Sequence, residues 1–147
     1  AEDDFFFFFP LYTKMNVYPI YTDSKTGLAY QQASYGAIDN DIIYYVTRYA
    51  FSKGEHATNN PANAEKVLAA VLEDFSKEMD EGIIDSSDYS DNGKQQTLTF
   101  LIVYPKYKSS GKVVLSNGNI YLAYVEYPSA LTDRTNLNKF LNSIIIK

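Results

Sequence analysis

The sequence predicts an α+β fold: a mainly antiparallel β-sheet of about six strands plus an N-terminal arm, with two amphipathic helices packed on one face. Short apolar runs separated by turn residues predict the strands. Two stretches with apolar residues three and four positions apart predict the helices. Because no linker-like stretch divides the chain, residues 1–147 are expected to form a single domain.

The first ten residues form an unusual apolar arm. Three acidic residues come first, then a run of phenylalanines, then Pro10. The run consists of Phe5, Phe6, Phe7, Phe8 and Phe9. Since it has no helical period, we expect an extended strand buried on both faces, and we interpret the flanking acids and proline as protection against aggregation. Either its own chain or a neighbouring subunit must cover it.

Strand-like runs follow the arm. Residues 15–21 and 28–34 flank a polar turn that ends in Gly27, which predicts a hairpin. Residues 42–51 are β-branched or aromatic and apolar on both alternating faces, apart from Arg48. That pattern is typical of a strand in the interior of a sheet.

The first helix is predicted over residues 61–81. Asn60 caps it, and Pro61 stands at the first helical position, where its missing N–H is not needed. Gly82 ends it. Its apolar stripe comprises Val67, Leu68, Val71, Leu72, Phe75 and Met79.

Strands dominate again after this helix. Residues 97–104 form the clearest strand of the chain. Two alternating runs, 112–115 and 120–127, then flank Asn117 and Gly118. Because Asn and Gly both tolerate positive φ, this pair predicts a tight hairpin.

A second helix closes the chain. Thr132 or Asp133 is expected to cap it, and it is predicted to run nearly to the C-terminus. One stripe of this helix carries Leu137, Phe140, Leu141, Ile144 and Ile145.

Composition excludes several classes of function. The net charge of −5 and the presence of only two arginines argue against nucleic-acid binding. With no cysteine and one histidine, the chain has no disulfides, thiol nucleophiles, cysteine-based zinc sites or sites that need two imidazoles. Phosphate-binding loops and the hydrolase nucleophile motif are also missing from the sequence.

Location is inferred from two features. No apolar run approaches the roughly 18 residues that a membrane-spanning segment needs, so no such segment is expected. A start at Ala1 followed by acidic residues is typical of a chain cut by signal peptidase, although cleavage of a polyprotein would leave the same start. We therefore expect a secreted, cell-surface or periplasmic protein.

One short motif resembles the front of an EF-hand calcium loop. Oxygen-bearing side chains stand at its first, third and fifth positions, Asp88, Ser90 and Asn92, and Gly93 stands at the sixth. Position twelve is Thr99 instead of the usual glutamate. Calcium is the one cofactor that the sequence suggests, and a plain polar loop over residues 85–94 is the alternative.

Tyrosine is the most over-represented residue type, with 14 copies in the chain. A tyrosine side chain can bury its apolar ring while its hydroxyl stays in contact with water, so it suits both strand packing and ligand stacking. Four strand residues are candidates for a ligand platform: Tyr18, Tyr30, Tyr44 and Tyr124.

Two functions from different classes follow from these features. The first is a non-enzymatic, exported structural or interaction protein, a self-assembling subunit of a filament, pilus-like structure or virion. Its partners would be proteins, including copies of itself, bound by addition of the N-terminal strand. The second is a secreted module that binds a small ligand or carbohydrate on the tyrosine platform.

We expect no catalytic residues. An enzyme would require a cleft in which Asp39, Asp41, Glu55 and His56 converge, and the sequence gives no reason to expect one. Asp39 and Asp41 are instead expected to form a turn.

Overall fold

The structure, a computed structural model, describes residues 5–6, 15–22, 29–39, 41–51, 61–78, 82–116 and 119–146. It describes the surroundings of side chains within 31–39, 41–49, 64–77, 82–116 and 119–144. In chain order the elements are β1 (Phe5–Phe6), β2 (Met15–Thr22), β3 (Ala29–Asp39), β4 (Ile42–Phe51), α1 (Pro61–Glu78), β5 (Ile83–Asp91), β6 (Gln95–Val103), β7 (Tyr107–Ser116), β8 (Asn119–Pro128), α2 (Thr135–Ser143) and β9 (Ile145–Ile146).

The main sheet has seven strands in the order β2-β3-β4-β8-β7-β6-β5. All neighbouring strands are antiparallel. Strands β1 and β9 form a separate two-stranded sheet. The predicted sheet-dominated α+β class is therefore confirmed.

Strand β5 is the longest element that the sequence did not predict. It runs along the sheet edge and pairs with β6 from Ile83 opposite Val103 to Asp91 opposite Gln96. Most of its residues are exposed. A strand whose two faces are both largely exposed shows no alternation of apolar and polar residues, so its sequence resembles that of a polar loop.

Both predicted hairpins are present. Strands β2 and β3 pair antiparallel, as expected for the runs at 15–21 and 28–34. Strands β7 and β8 pair in a register that places Ser116 opposite Asn119, as the Asn-Gly pair predicts.

Helix α1 begins at Pro61, as predicted, and is described to Glu78, while its predicted cap Asn60 and its predicted last turn, residues 79–81, lie outside the described residues. Helix α2 differs from its prediction at both ends. Its N-cap is Arg134, and the Asp133 carboxylate accepts a hydrogen bond from the Thr135 backbone N–H at 3.1 Å. The helix ends at Ser143, and Ile144 is already extended. Three consecutive isoleucines favour extended backbone, so the chain continues as β9 instead of as helix.

The two helices lie against opposite faces of the sheet. Neighbouring residues of a strand point to opposite faces, and Val113 packs in one core while Val114 packs in the other. The first core defines the α1 face and joins Leu68, Leu72 and Phe75 of α1 to Val113, Leu115, Ile120 and Leu122. The second defines the α2 face and joins Leu137 and Phe140 of α2 to Val114, Tyr121, Ala123 and Val125.

The expectation that both helices pack on one face is therefore wrong. The central strands carry apolar side chains in consecutive positions, so both of their faces need cover. One helix on each face supplies that cover and produces three layers.

Gly111 allows strands β7 and β8 to approach closely on the α1 face. A Cβ at this position would overlap the Ala123 carbonyl oxygen and lie 2.8 Å from Cα and Cβ of Tyr124. These atoms belong to the backbone or to the base of a side chain, so they cannot move aside cheaply. Glycine is therefore required at this position.

We predict that Gly111→Ala destabilises the protein by about 2 kcal/mol or more, because the neighbouring strand must shift to admit the methyl group. Gly36→Ala is the matched control, since Gly36 is exposed and a Cβ there would lie 3.5 Å from the nearest atom of the Tyr45 ring. Urea unfolding of both variants measures the difference. A G111A variant that unfolds at the same midpoint as G36A would contradict this account.

Candidate functional site

The α1 face carries a group of tyrosines beside the end of α1. We call this group the tyrosine cluster; it consists of Tyr45, Tyr49, Tyr104 and Tyr124. All four side chains are partly buried. The ring centroids of Tyr45 and Tyr124 lie 5.3 Å apart, and Phe75 of α1 lies 4.7 Å from Tyr124.

Strand register places these rings together. Tyr45 of β4 stands directly opposite Tyr124 of β8, so their side chains share one face. Each of these tyrosines also stands opposite a glycine of the next strand, Tyr45 opposite Gly36 and Tyr124 opposite Gly111. At Gly36 the missing side chain leaves room for the Tyr45 ring, and at Gly111 it allows the backbone of β8 at Tyr124 to approach closely.

Glu126 adds a carboxylate to one end of the tyrosine cluster. It lies two residues after Tyr124 on β8, hence on the same face, and is partly buried. Ser109 of β7 stands directly opposite Glu126. Tyr104 follows β6 and is held by a turn in which its backbone N–H donates to the Tyr107 carbonyl at 2.9 Å.

Two buried hydroxyls lie next to this carboxylate. Ser109 is fully buried, with 0% of its surface exposed. The Ser109 hydroxyl lies close enough to the buried Tyr104 Oη to lower the pKa of that phenol, although the two groups do not meet strict hydrogen-bonding geometry. Neither oxygen has accessible surface, so their mutual contact is the polar interaction that the described residues provide.

The electrostatics of the cluster reflect burial. Burial raises the pKa of Tyr124, and Tyr45 and Glu126 add to that rise. Burial also raises the pKa of Tyr104, with the neighbouring Ser109 hydroxyl opposing the rise and Glu126 adding to it. The pKa of Glu126 is itself raised by burial. The site therefore combines neutral phenols with one partly desolvated carboxylate.

The exposed part of this arrangement consists of partly buried phenol rings and one partly buried carboxylate, whereas the hydroxyls of Ser109 and Tyr104 are enclosed. Within the described ranges, no three His, Cys, Asp or Glu side chains come together as a metal site would require.

The predicted ligand platform is not assembled as one surface. Tyr124 belongs to the tyrosine cluster, but Tyr44 is fully buried on the α2 face, 5.3 Å from Phe140. The prediction that Tyr44 serves as a stacking platform is therefore wrong. Adjacent residues of a strand point to opposite faces, so Tyr45, and not Tyr44, faces the tyrosine cluster. Tyr18 and Tyr30 lie in β2 and β3, and their side chains are outside the described part.

Four residues of this site were not predicted from the sequence: Tyr45, Tyr49, Tyr104 and Glu126. The alternation of β4 could have identified the first two, since odd and even positions of a strand face opposite ways. No signal in the sequence marked Glu126 or Tyr104, because their proximity depends on the pairing of three strands.

The residues of the expected calcium loop lie in a strand and a turn. Asp88 and Ser90 belong to β5, while Asn92 lies in the connection to β6. Asn92 Oδ1 accepts hydrogen bonds from the backbone N–H groups of Lys94 at 3.0 Å and Gln95 at 2.8 Å. Gly93 has φ of 88°, which suits a tight hairpin turn. The segment is therefore a hairpin, without the wrapped conformation of an EF-hand loop.

The N-terminal arm is described only at its first two phenylalanines. Phe5 and Phe6 pair antiparallel with Ile146 and Ile145, the two residues of β9. Phe7, Phe8 and Phe9 lie outside the described residues.

Of the four residues considered as catalytic candidates, the structure describes only Asp39 and Asp41. Asp39 ends β3 and Asp41 lies in the turn before β4, as expected of turn-forming residues. Glu55 and His56 fall outside the described residues.

Comparisons with known proteins identify no relative. No family model, no curated protein and no solved structure matches this chain. In the described part of the chain, neither helix has both the length and the apolar character that crossing a bilayer requires.

We predict that Glu126→Gln raises stability at neutral pH. A carboxyl whose pKa is higher in the folded than in the unfolded chain binds more protons when folded, so stability falls as pH rises above its ordinary value of 4.5. The glutamine does not ionise, so the advantage of the variant over the wild type should grow between about pH 4 and about pH 7.

Urea unfolding at both pH values measures this difference. Glu73→Gln, on the exposed surface of α1, reports the effect of removing one exposed negative charge. If the advantage of E126Q over the wild type does not change with pH, burial does not govern the titration of Glu126.

Proposed function

We propose that the protein is a non-enzymatic, exported interaction protein that self-assembles by strand addition, as a subunit of a filament, pilus-like structure or virion. The N-terminal arm is the donor strand, and a sheet edge of a second copy is the acceptor. The observation that supports the proposal is the contrast between the two-residue pairing described for the arm and a nine-residue edge strand that, among the described strands, is paired on one side only.

The pairing of the arm in its own chain is described at Phe5 and Phe6. Strand β1 pairs with β9 at two positions and is not part of the seven-stranded sheet. Each backbone hydrogen bond contributes only about 1 kcal/mol net, so a pairing of this length is readily exchanged for a longer one. A terminal segment can reach a second molecule as easily as its own.

Strand β5 is the better acceptor of the two edges. It is nine residues long, and among the described strands only β6 pairs with it. Ile83, at its start, is 71% exposed, which is unusual for so large an apolar residue. An exposed edge presents unpaired N–H and C=O groups to an incoming strand.

Strand β2, at the opposite edge, is less suited to pairing. Its register with β3 shifts between Val17 and Ile20. Pro19 stands within that shift and has no N–H to donate. Bulges and prolines are common means of blocking edge strands.

The alternative function, carbohydrate binding on a tyrosine platform, has less support. Of its four residues, Tyr44 is buried under α2 and Tyr124 is packed against Phe75. Stacking a sugar ring requires an exposed aromatic face. We therefore propose no second function on that platform.

We predict that deleting residues 1–10 abolishes assembly and leaves a folded monomer. Light scattering over a range of concentrations measures assembly, and a urea melt of each form measures folding. If both forms are monomeric and the deletion costs several kcal/mol, the arm belongs to its own core and the proposal fails.

A second variant tests the acceptor edge. Ser86→Lys combined with Ser90→Lys places two charges on exposed positions of β5, and lysines on an edge oppose strand pairing. We expect assembly to be lost as in the deletion. The matched control is Asn138→Lys with Asn142→Lys, which adds the same charge on the exposed side of α2. If the control reduces assembly equally, net charge is responsible and β5 is not the acceptor.

A further inference from the structure

The turn between β5 and β6 contains an Asn-Gly pair, Asn92 and Gly93. Asparagine is a chemically labile residue, and it is most labile before glycine, which has no side chain to shield its backbone nitrogen from the asparagine amide. Residues 91–94 are all exposed, so water and hydroxide reach this turn. The turn therefore has the composition and the exposure that spontaneous deamidation requires.

Deamidation of this pair would follow a defined course. The Gly93 backbone nitrogen loses its proton, and its electron pair forms a bond to Cγ of Asn92. The Cγ–Nδ2 bond breaks, and Nδ2 takes up the proton and leaves as ammonia. Water then opens the resulting cyclic imide at either carbonyl, which gives aspartate or isoaspartate. Removal of the Gly93 amide proton therefore controls the reaction.

That proton is held by Asp91. The Gly93 N–H donates a hydrogen bond to Asp91 Oδ1 at 2.8 Å, and Gln96 Nε2 donates to the same oxygen at 3.1 Å. These two hydrogen bonds hold the pKa of Asp91 below its ordinary value, so the carboxylate is ionised at neutral pH. A negative charge beside the N–H disfavours loss of its proton, and a carboxylate of low pKa is too weak a base to take it.

The asparagine is also fixed within the turn. Asn92 Oδ1 accepts hydrogen bonds from the backbone N–H groups of Lys94 at 3.0 Å and Gln95 at 2.8 Å. The backbone N–H of Asn92 donates to the Gln95 carbonyl at 3.2 Å. Because these bonds hold the side chain and the backbone of Asn92 in one conformation, closure of the imide ring requires the turn to loosen.

We propose that Asn92 is a latent deamidation site that Asp91 holds in check through the Gly93 N–H. Asp91 is a positioning residue, since none of the bonds that form or break is its own. Loss of its hydrogen bond releases the reaction. Isoaspartate would add one carbon to the backbone at the end of β5, next to the pairing of Asp91 with Gln96. The proposal does not depend on strand addition.

The proposal is tested by incubating the full chain at neutral pH and measuring deamidation at each asparagine by peptide mapping. We expect Asp91→Ala to accelerate the reaction at Asn92 about 10-fold, the effect of one hydrogen bond to a charged group. Asp91→Asn keeps a carbonyl acceptor and should stay within about 3-fold of the wild type. Asp88→Ala removes another exposed aspartate of β5 and should change the rate less than about 2-fold.

Hydrogen exchange of the Gly93 amide gives a second readout, because base-catalysed exchange removes the same proton. We expect exchange about 10-fold faster in D91A than in the wild type, and a smaller change in D91N. Gln96→Ala removes the second hydrogen bond to Asp91 and keeps the first. It should accelerate deamidation about 3-fold, and it provides the measurement should D91A fail to fold.

Asn117, in the other Asn-Gly pair of the chain, is the internal reference. Its deamidation rate should change less than about 2-fold in D91A. Unchanged deamidation of Asn92 in both D91A and Q96A, or equal acceleration in D88A, would overturn the proposal. Equal acceleration at Asn117 would also overturn it, since general loosening of the chain would then be the cause. Light scattering measures assembly separately, so these outcomes leave the strand-addition proposal unaffected.

Discussion

Burial of the central strand β8 on both of its faces is the constraint on which the rest of the fold depends. Tyr121 and Leu122 are neighbours in sequence, yet one packs in the core under α2 and the other in the core under α1. A strand of this kind is stable only when both sides are covered. The chain meets that requirement with one helix before the second set of strands and one after it, and the three layers follow.

The tyrosine cluster lies at the border of the core under α1. Helix α1 packs on strands β5 to β7, where Leu98 and Phe100 are buried beneath it. Phe75 of this helix lies against Tyr124 of β8, and Tyr45 of β4 lies beside that ring. A phenol can pack its ring against the sheet and direct its hydroxyl outward, so it suits the border between a core and its surroundings. Polar chemistry is concentrated at that border.

Local patterns in the sequence predicted local structure well. The Asn117-Gly118 pair located a hairpin, and the capped apolar stripe after Asn60 located α1. Edge strand β5 was missed because exposure on both faces removes the periodicity that reveals a strand. The prediction that both helices pack on one face of the sheet was wrong for a different reason. An apolar stripe shows that a helix packs against something, but it does not show against which face of the sheet. The convergence of Glu126, Ser109 and Tyr104 depends on strand register across a whole sheet, which no local pattern encodes.

The strand order divides the sheet into two meanders, β2-β3-β4 and β5-β6-β7-β8, which meet only where β4 pairs with β8. Within each meander every pairing joins strands that are consecutive in the chain, whereas β4 and β8 are separated by α1 and three strands. Within the seven-stranded sheet, the pairing of β4 with β8 closes the longest loop and therefore has the largest single loop-closure cost. The meanders can therefore form early and separately, and docking of β4 on β8 becomes the step that joins two half-sheets into one seven-stranded sheet.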